Sequence, residues 1–168
     1  MTIEARAKVE DIEKFRKKIY DLDAKLVETY SFTDHLYKPK NKEWDFNEQS
    51  MKIRVKNDGK VFLAYHLVEW DNGVKKDKFG FKKEIESLDL ALQVVHVLNL
   101  EKVVEYSRKG EVYSTDDFSF VLENIDRLGY LVEVEAETVK KVDENLKKLG
   151  LTKISKSVPR MIQETLGG

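Results

Sequence analysis

The stretch Ile3–Val9, IEARAKV, alternates apolar and charged residues with a period of two. This period predicts a β-strand with small apolar side chains on one face and ionised side chains on the other. The same alternation returns in MKIRV at Met51–Val55 and in LVEVE at Leu131–Glu135. The two-faced strand is therefore the unit from which the fold must be built.

About eight strands are predicted, and turn residues such as Asn57-Asp58-Gly59 separate several of them. So many strands in 168 residues form either a sandwich or a barrel. Besides Ile3–Val9 and Met51–Val55, the predicted strands are Lys25–Tyr37, Lys60–Trp70, Val74–Glu86, Lys102–Ser114, Phe118–Ile125 and Tyr130–Ala136, which contains LVEVE.

Helices are predicted where the apolar spacing changes to three and four residues. Ser87 and Thr138 have the N-cap chemistry that starts a helix, and Gly150 is suited to end one. The predicted helices begin after Asp11, run over Leu88–Leu98, run from Thr138 to Gly150, and begin near Pro159.

Composition excludes several classes of protein. The chain has no Cys, so disulfides, thiolate zinc sites and cysteine nucleophiles are excluded. Its 30 basic and 31 acidic residues nearly cancel, which argues against a general nucleic-acid binder. There is no apolar run of about 20 residues and no leader pattern, so we expect no membrane span and a cytoplasmic protein.

The charged strand faces have two interpretations. They are either solvated outer faces, or they line the interior of a barrel whose apolar faces are covered by the helices. In the second case carboxylates would hold Mg²⁺ or Mn²⁺, and cations would hold phosphate. The candidate side chains are the carboxylates of Glu4, Glu84, Glu133 and Glu135 and the cations of Arg6, Lys8, Lys52, Arg54, Lys82 and Arg108.

Four segments carry a resemblance to a known family: IEARAKVED, MKIRV, NIDRLGYLVEVEAE and PRMIQETL. In this order they resemble the CYTH proteins, the triphosphate tunnel metalloenzymes, which include class IV adenylate cyclases, thiamine triphosphatases and inorganic triphosphatases. The resemblance implies one CYTH-like domain over residues 1–168. Its fold would be α+β, an eight-stranded antiparallel closed β-barrel with flanking helices and a charged tunnel.

The resemblance also implies a site. Its metal ligands would be Glu4, Glu133 and Glu135, which with Arg6 would form the catalytic set around Mg²⁺ or Mn²⁺. The substrate would be a small triphosphate (ATP, thiamine triphosphate or tripolyphosphate), and a homodimer is implied as one assembly state. The substrate-binding cations would be Arg6, Lys8, Lys52, Arg54, Lys82, Arg108 and Arg160.

Several positions depart from the family pattern. Arg6 stands in place of a lysine and Glu123 in place of an aspartate. Thr2 stands in place of a carboxylate, His66 in place of a lysine and Gly110 in place of a cation. Three hypotheses therefore stay open. They are a metal-dependent triphosphate hydrolase or cyclase, a catalytically degenerate module that binds polyphosphate or nucleotide, and an interaction domain without a ligand.

Overall fold

A computed structural model describes residues 3–167 of the chain. Met1, Thr2 and Gly168 lie outside this range, and with them the departure from the family pattern at Thr2. The helices are α1 Ile12–Asp21, α2 Leu88–Val97, α3 Val139–Lys148 and α4 Val158–Gly167. The strands are β1 Ile3–Lys8, β2 Lys25–Pro39, β3 Gln49–Lys56, β4 Val61–Asp71, β5 Val74–Ile85, β6 Leu100–Ser114, β7 Ser119–Ile125, β8 Gly129–Ala136 and β9 Lys153–Ile154.

The strands form one sheet in the order β5-β4-β3-β2-β6-β7-β8-β1-β9, and β5 also pairs with β1. This pairing, Ile3 opposite Lys76 and Glu4 opposite Lys75, closes the sheet. The predicted fold class is confirmed: the described residues form a closed eight-stranded antiparallel β-barrel with four flanking helices. The short strand β9, which adds to β1, was not predicted, because two residues carry no readable period.

The chain divides into two compact units. The first unit contains residues 3–30, 70–76 and 108–155, and the second contains residues 31–69, 77–107 and 156–167. That the chain forms a single domain stays a prediction.

In the first unit, the apolar faces of β1 and β8 pack against α1 and α3. The core residues are small on β1 and β-branched on β8, which leaves room for the larger side chains of the helices. The cluster contains Ala5, Ala7, Val132 and Val134 from these two strands, Phe15 and Ile19 from α1, and Val142 and Leu146 from α3. Since strand side chains alternate, the charged residues of β1 and β8 fall on the sheet face away from these helices.

The second unit repeats the arrangement around α2. Met51 and Ile53 on β3 and Leu63 on β4 pack with the buried face of α2, formed by Ala91 and Val95. Because Lys52 and Arg54 alternate with Met51 and Ile53, their side chains lie on the sheet face away from α2.

The predicted helix starts are confirmed by their hydrogen bonds. Asp11 Oδ1 accepts from the Lys14 amide, Ser87 Oγ from Leu90 and Thr138 Oγ1 from Lys141, each at 3.1 Å. Gly150, with φ of +70°, follows α3 in the left-handed conformation that favours glycine. No helix within residues 3–167 is long and apolar enough to cross a bilayer.

The packing of α3 against the sheet should depend on Leu146. Leu146 is 3% exposed in the core of the first unit, whereas Leu92, on α2, is 43% exposed. Leu146→Ala should lower the free energy of unfolding by about 2–5 kcal/mol, because it removes buried methyl groups and leaves a cavity. Leu92→Ala should cost much less, and equal losses for both variants in urea denaturation would contradict this account of the core.

Candidate functional site

Six charged side chains meet in the first unit, on the sheet face away from its helices. Three are cations and three are carboxylates, so their formal charges cancel. We call this group the mixed-charge cluster; its members are Glu4, Arg6, Lys75, Arg108, Glu123 and Glu133.

One half of the mixed-charge cluster is centred on Arg6. Its guanidinium pairs with Glu133, and its Nη1 atom lies 3.2 Å from Glu4 Oε1. Glu4 also pairs with Lys75. The sheet register explains these contacts, since Arg6 lies opposite Glu133 and Glu4 lies opposite Lys75.

Burial gives these groups unusual proton affinities. Burial raises the pKa of Glu133, and the charges of Glu4 and Glu123 raise it further, although Arg6 opposes the change. For Arg6, burial by itself lowers the pKa, but the neighbouring carboxylates outweigh it and the guanidinium stays charged. Burial thus makes the negative charge of Glu133 costly, and its ion pair with Arg6 offsets part of that cost.

The other half of the mixed-charge cluster is a closed network. Arg108 Nη1 donates to both oxygens of Glu123 at 3.2 Å, and the Tyr30 hydroxyl donates to Glu123 Oε2 at 2.7 Å. Arg108 is 6% and Glu123 2% exposed. Burial alone raises the pKa of Glu123, but Arg108, Arg6 and Tyr30 together hold it below the ordinary glutamate value. Glu123 is therefore an ionised, internally neutralised carboxylate.

Tyr30 also accounts for the departure at Gly110. A Cβ atom on Gly110 would lie 2.1 Å from Tyr30 Cζ and 2.5 Å from two other ring atoms. The ring thus occupies the space that any side chain at position 110 would need.

A second cluster lies within the second unit and is strongly basic. Four cations and two aromatic rings surround the carboxylate of Asp34, which is 0% exposed. We call it the basic cluster; its members are Asp34, Lys52, Arg54, Lys56, Lys82, Phe32 and Phe62.

Arg54 is the fixed member of the basic cluster. Its Nε and Nη2 atoms donate to the two oxygens of Asp34 at 2.7 and 2.9 Å, and its guanidinium lies 3.6 Å from the Phe32 ring centre. The register places Arg54 opposite Asp34 on β2 and Phe62 on β4. Bidentate pairing and stacking hold the guanidinium in one orientation.

The lysines of the basic cluster are less neutralised. Lys52 Nζ is 3.7 Å from Asp34 Oδ2, and Lys82 Nζ is 4.7 Å from the Phe62 ring centre. Burial lowers the pKa of Lys82, and the nearby charges of Arg54 and Lys56 lower it further. A bound anion would relieve this repulsion.

The remaining predicted site residues are more exposed. Glu135 lies opposite Glu4 in the β1–β8 register but is exposed, and so are Lys8, Glu84 and Lys82. Arg160, on α4, pairs with Glu164 at 3.3 Å and lies 3.8 Å from Asp45. His66 is half-buried on β4, with Gly80 beside its ring.

The carboxylates do not form a ready-made metal cage. Within residues 3–167, no group of three or more His, Asp or Glu side chains is placed to hold a metal ion. Mg²⁺ is often bound through only one or two carboxylates together with substrate phosphates. Glu4 and Glu133, both adjacent to Arg6, could supply such oxygens to a metal that arrives with a phosphate ligand.

Several residues of the two clusters were not predicted from the sequence, and Asp34, Tyr30 and Lys75 are the most important of them. Asp34 interrupts the apolar alternation of Phe32 and Leu36, which is a readable signal of a charge on the inner face of β2. Gly110 was an indirect signal of Tyr30, because a glycine inside a strand often marks the close approach of another group. No sequence signal pointed to Lys75, because its pairing with Glu4 follows from the β1–β5 contact that closes the sheet.

No protein-family model matches the chain, and no curated protein matches it in sequence. Several solved structures do match. The PH1819 protein from Pyrococcus horikoshii OT3 is 18% identical with a TM-score of 0.81, and the alignment covers 98% of this chain and 99% of that one.

Two further structures have names that describe an activity. A putative adenylate cyclase from Vibrio parahaemolyticus is 14% identical with a TM-score of 0.74, covering 96% of this chain and 98% of that one. The putative adenylyl cyclase HpAC1 from Hippeastrum, described as having a dominant triphosphatase activity, is 13% identical with a TM-score of 0.71, covering 99% and 96%. These likenesses show a shared fold.

The Asp34–Arg54 pair should be strongly coupled in stability. Arg54→Met leaves a buried carboxylate without its bidentate partner and should cost about 3–5 kcal/mol. Adding Asp34→Asn removes the buried negative charge that has lost its bidentate partner, so the double variant should be more stable than Arg54→Met alone. Urea denaturation measures both.

Arg16→Met is the matched control for this prediction. Arg16 makes a similar two-point contact with Glu111, at 3.2 and 3.3 Å, but in an exposed position. Its loss should cost about 1 kcal/mol or less. If the double variant is no more stable than Arg54→Met, Asp34 is not the group that Arg54 neutralises.

Proposed function

We propose that this protein is a metal-dependent enzyme that acts on triphosphates, either a triphosphate hydrolase or a class IV-type adenylate cyclase of the CYTH kind. The resemblance of its strands to that family and the fold shared with the two named cyclases support the proposal. ATP, thiamine triphosphate and tripolyphosphate are the candidate substrates. The cytoplasmic location and the homodimer stay predictions.

The observation that carries this proposal is the charge excess of the basic cluster. Four cations face one carboxylate, and Arg54 already neutralises that carboxylate. A surface with this excess of positive charge is stabilised by a polyanion, and a triphosphate supplies several negative oxygens along a short chain. Lys52, Arg54 and Lys82 are the proposed phosphate ligands in this cluster.

The mixed-charge cluster supplies the other proposed roles. Arg6 would bind a phosphate oxygen. Glu4, Glu133 and Glu135 are the proposed ligands of Mg²⁺ or Mn²⁺ brought in by the triphosphate. When bound, the metal would neutralise charge on the transferring phosphoryl group, which is the main chemical requirement of phosphoryl transfer.

One observation favours a second function, the binding of polyphosphate or nucleotide without turnover. Glu4, Glu123 and Glu133 are each already paired with a cation of the mixed-charge cluster. If these ion pairs hold when a ligand binds, the carboxylates are not available to a metal. The protein would then retain the basic cluster as an anion-binding surface and lack catalysis.

An activity assay separates these two functions. The protein is incubated with each candidate substrate and Mg²⁺ or Mn²⁺, and phosphate release and cyclic AMP are measured. The enzyme proposal predicts turnover that Glu133→Gln with Glu135→Gln reduces at least about 100-fold. Calorimetric binding of tripolyphosphate without turnover by the folded, metal-supplied protein would establish the second function instead.

Lys82 and Lys83 offer a matched test of the basic cluster. They are neighbours on β5, so their side chains leave opposite faces of the strand, and only Lys82 lies against Phe62. Lys82→Gln should weaken tripolyphosphate binding about tenfold, the value of one charge-assisted contact. Lys83→Gln should change it less than about twofold, since a removed surface charge is screened by salt. Equal effects in calorimetry would show that binding is not localised at the basic cluster.

A further inference from the structure

Tyr30 performs two tasks in the mixed-charge cluster at once. Its ring lies directly over Gly110, and its hydroxyl donates to Glu123. Burial raises the pKa of the phenol, and the charge of Glu123 raises it further, so the hydroxyl keeps the proton that it donates. A single side chain thus fills a space and satisfies a buried carboxylate.

The position of Tyr30 bears on Arg108, which contacts the same carboxylate, Glu123. Arg108 is two positions before Gly110 on β6, so the two share one face of the strand. The guanidinium of Arg108 is nearly excluded from solvent and is directed at Glu123. The Tyr30 ring, which lies over Gly110, is therefore on the same face of β6 as the side chain of Arg108.

We propose that Tyr30 is a specificity-determining residue that sets how far a phosphate chain extends into the mixed-charge cluster. The ring separates Arg108 from the ligand, so Arg6 and Lys75 are the cations of this cluster that contact phosphate. The protein therefore discriminates against longer polyphosphate chains, which would need Arg108 as an additional contact. This inference rests on the proposed function, because it assumes that a polyphosphate binds at these strand faces.

The shielding of Arg108 can be tested without any ligand. Phenylglyoxal modifies accessible arginines, and peptide mass spectrometry gives the rate at each site. Arg127, which is exposed, serves as an internal reference. We expect Arg108 to react at least tenfold more slowly than Arg127 in the unmodified protein and in Tyr30→Phe, and to approach the rate of Arg127 in Tyr30→Ala.

The effect on chain length is tested by calorimetry with pyrophosphate, tripolyphosphate and tetrapolyphosphate. Tyr30→Ala should raise the affinity for tetrapolyphosphate relative to pyrophosphate about tenfold, the value of one added charge-assisted contact. Tyr30→Phe keeps the ring and should keep the original ratio. Tyr20→Ala, at a tyrosine that is 84% exposed, is the control for loss of a tyrosine elsewhere.

A second variant moves the ring without removing it. In Gly110→Ala the new methyl group would overlap Tyr30 Cζ, so the ring must leave its position. This variant should show the same faster labelling and the same change in chain-length preference as Tyr30→Ala. It keeps the test decisive if Tyr30→Ala does not fold.

The outcomes distinguish the inference from the function on which it rests. Fast labelling of Arg108 in the unmodified protein, or an unchanged length preference in variants whose Arg108 has become reactive, overturns the role of Tyr30. If the unmodified protein binds none of the three polyphosphates, the proposed function fails and the length preference with it. The labelling rates then still decide whether Tyr30 shields Arg108.

Discussion

Several charged side chains on the helix-free sheet faces of this protein, among them Asp34, Arg108 and Glu123, lie out of water, and each therefore needs an opposite charge or a hydrogen bond. An unpaired buried charge costs several kcal/mol, on the order of the whole stability of a small domain. The completely buried Asp34 meets Arg54 through two hydrogen bonds, and Glu123 meets both Arg108 and Tyr30. The positions of the other groups in both clusters follow from this need for neutralisation.

The two clusters solve this problem in different ways. In the mixed-charge cluster, cations and carboxylates are equal in number, and burial still raises the pKa of Glu133. In the basic cluster, the rings of Phe32 and Phe62 lie against Arg54 and Lys82, and cation–π attraction stabilises part of the positive charge. The first cluster is thus neutralised within itself, and the second carries an excess of positive charge.

The period of two in Ile3–Val9 was sufficient to predict which side chains of β1 face the helices, and the N-caps Ser87 and Thr138 fixed where two helices begin. Contacts between distant strands were not predictable in the same way. The strand period says which face a residue occupies and nothing about its partner, so neither the contact of Tyr30 with Gly110 nor that of Lys75 with Glu4 could be inferred. Both require the closed sheet.

Strand β1 lies between β8 and β5, although it comes first in the chain. Arg6 is separated from its partner Glu133 by 127 residues. At usual rates of synthesis, the ribosome needs roughly 6–25 s to make that interval. During this time the first strand, with its alternating charges, has no β8 to pair with. The pairing of β1 with β8 is therefore a late event in biogenesis, and the high sequence separation of its contacts favours slow folding.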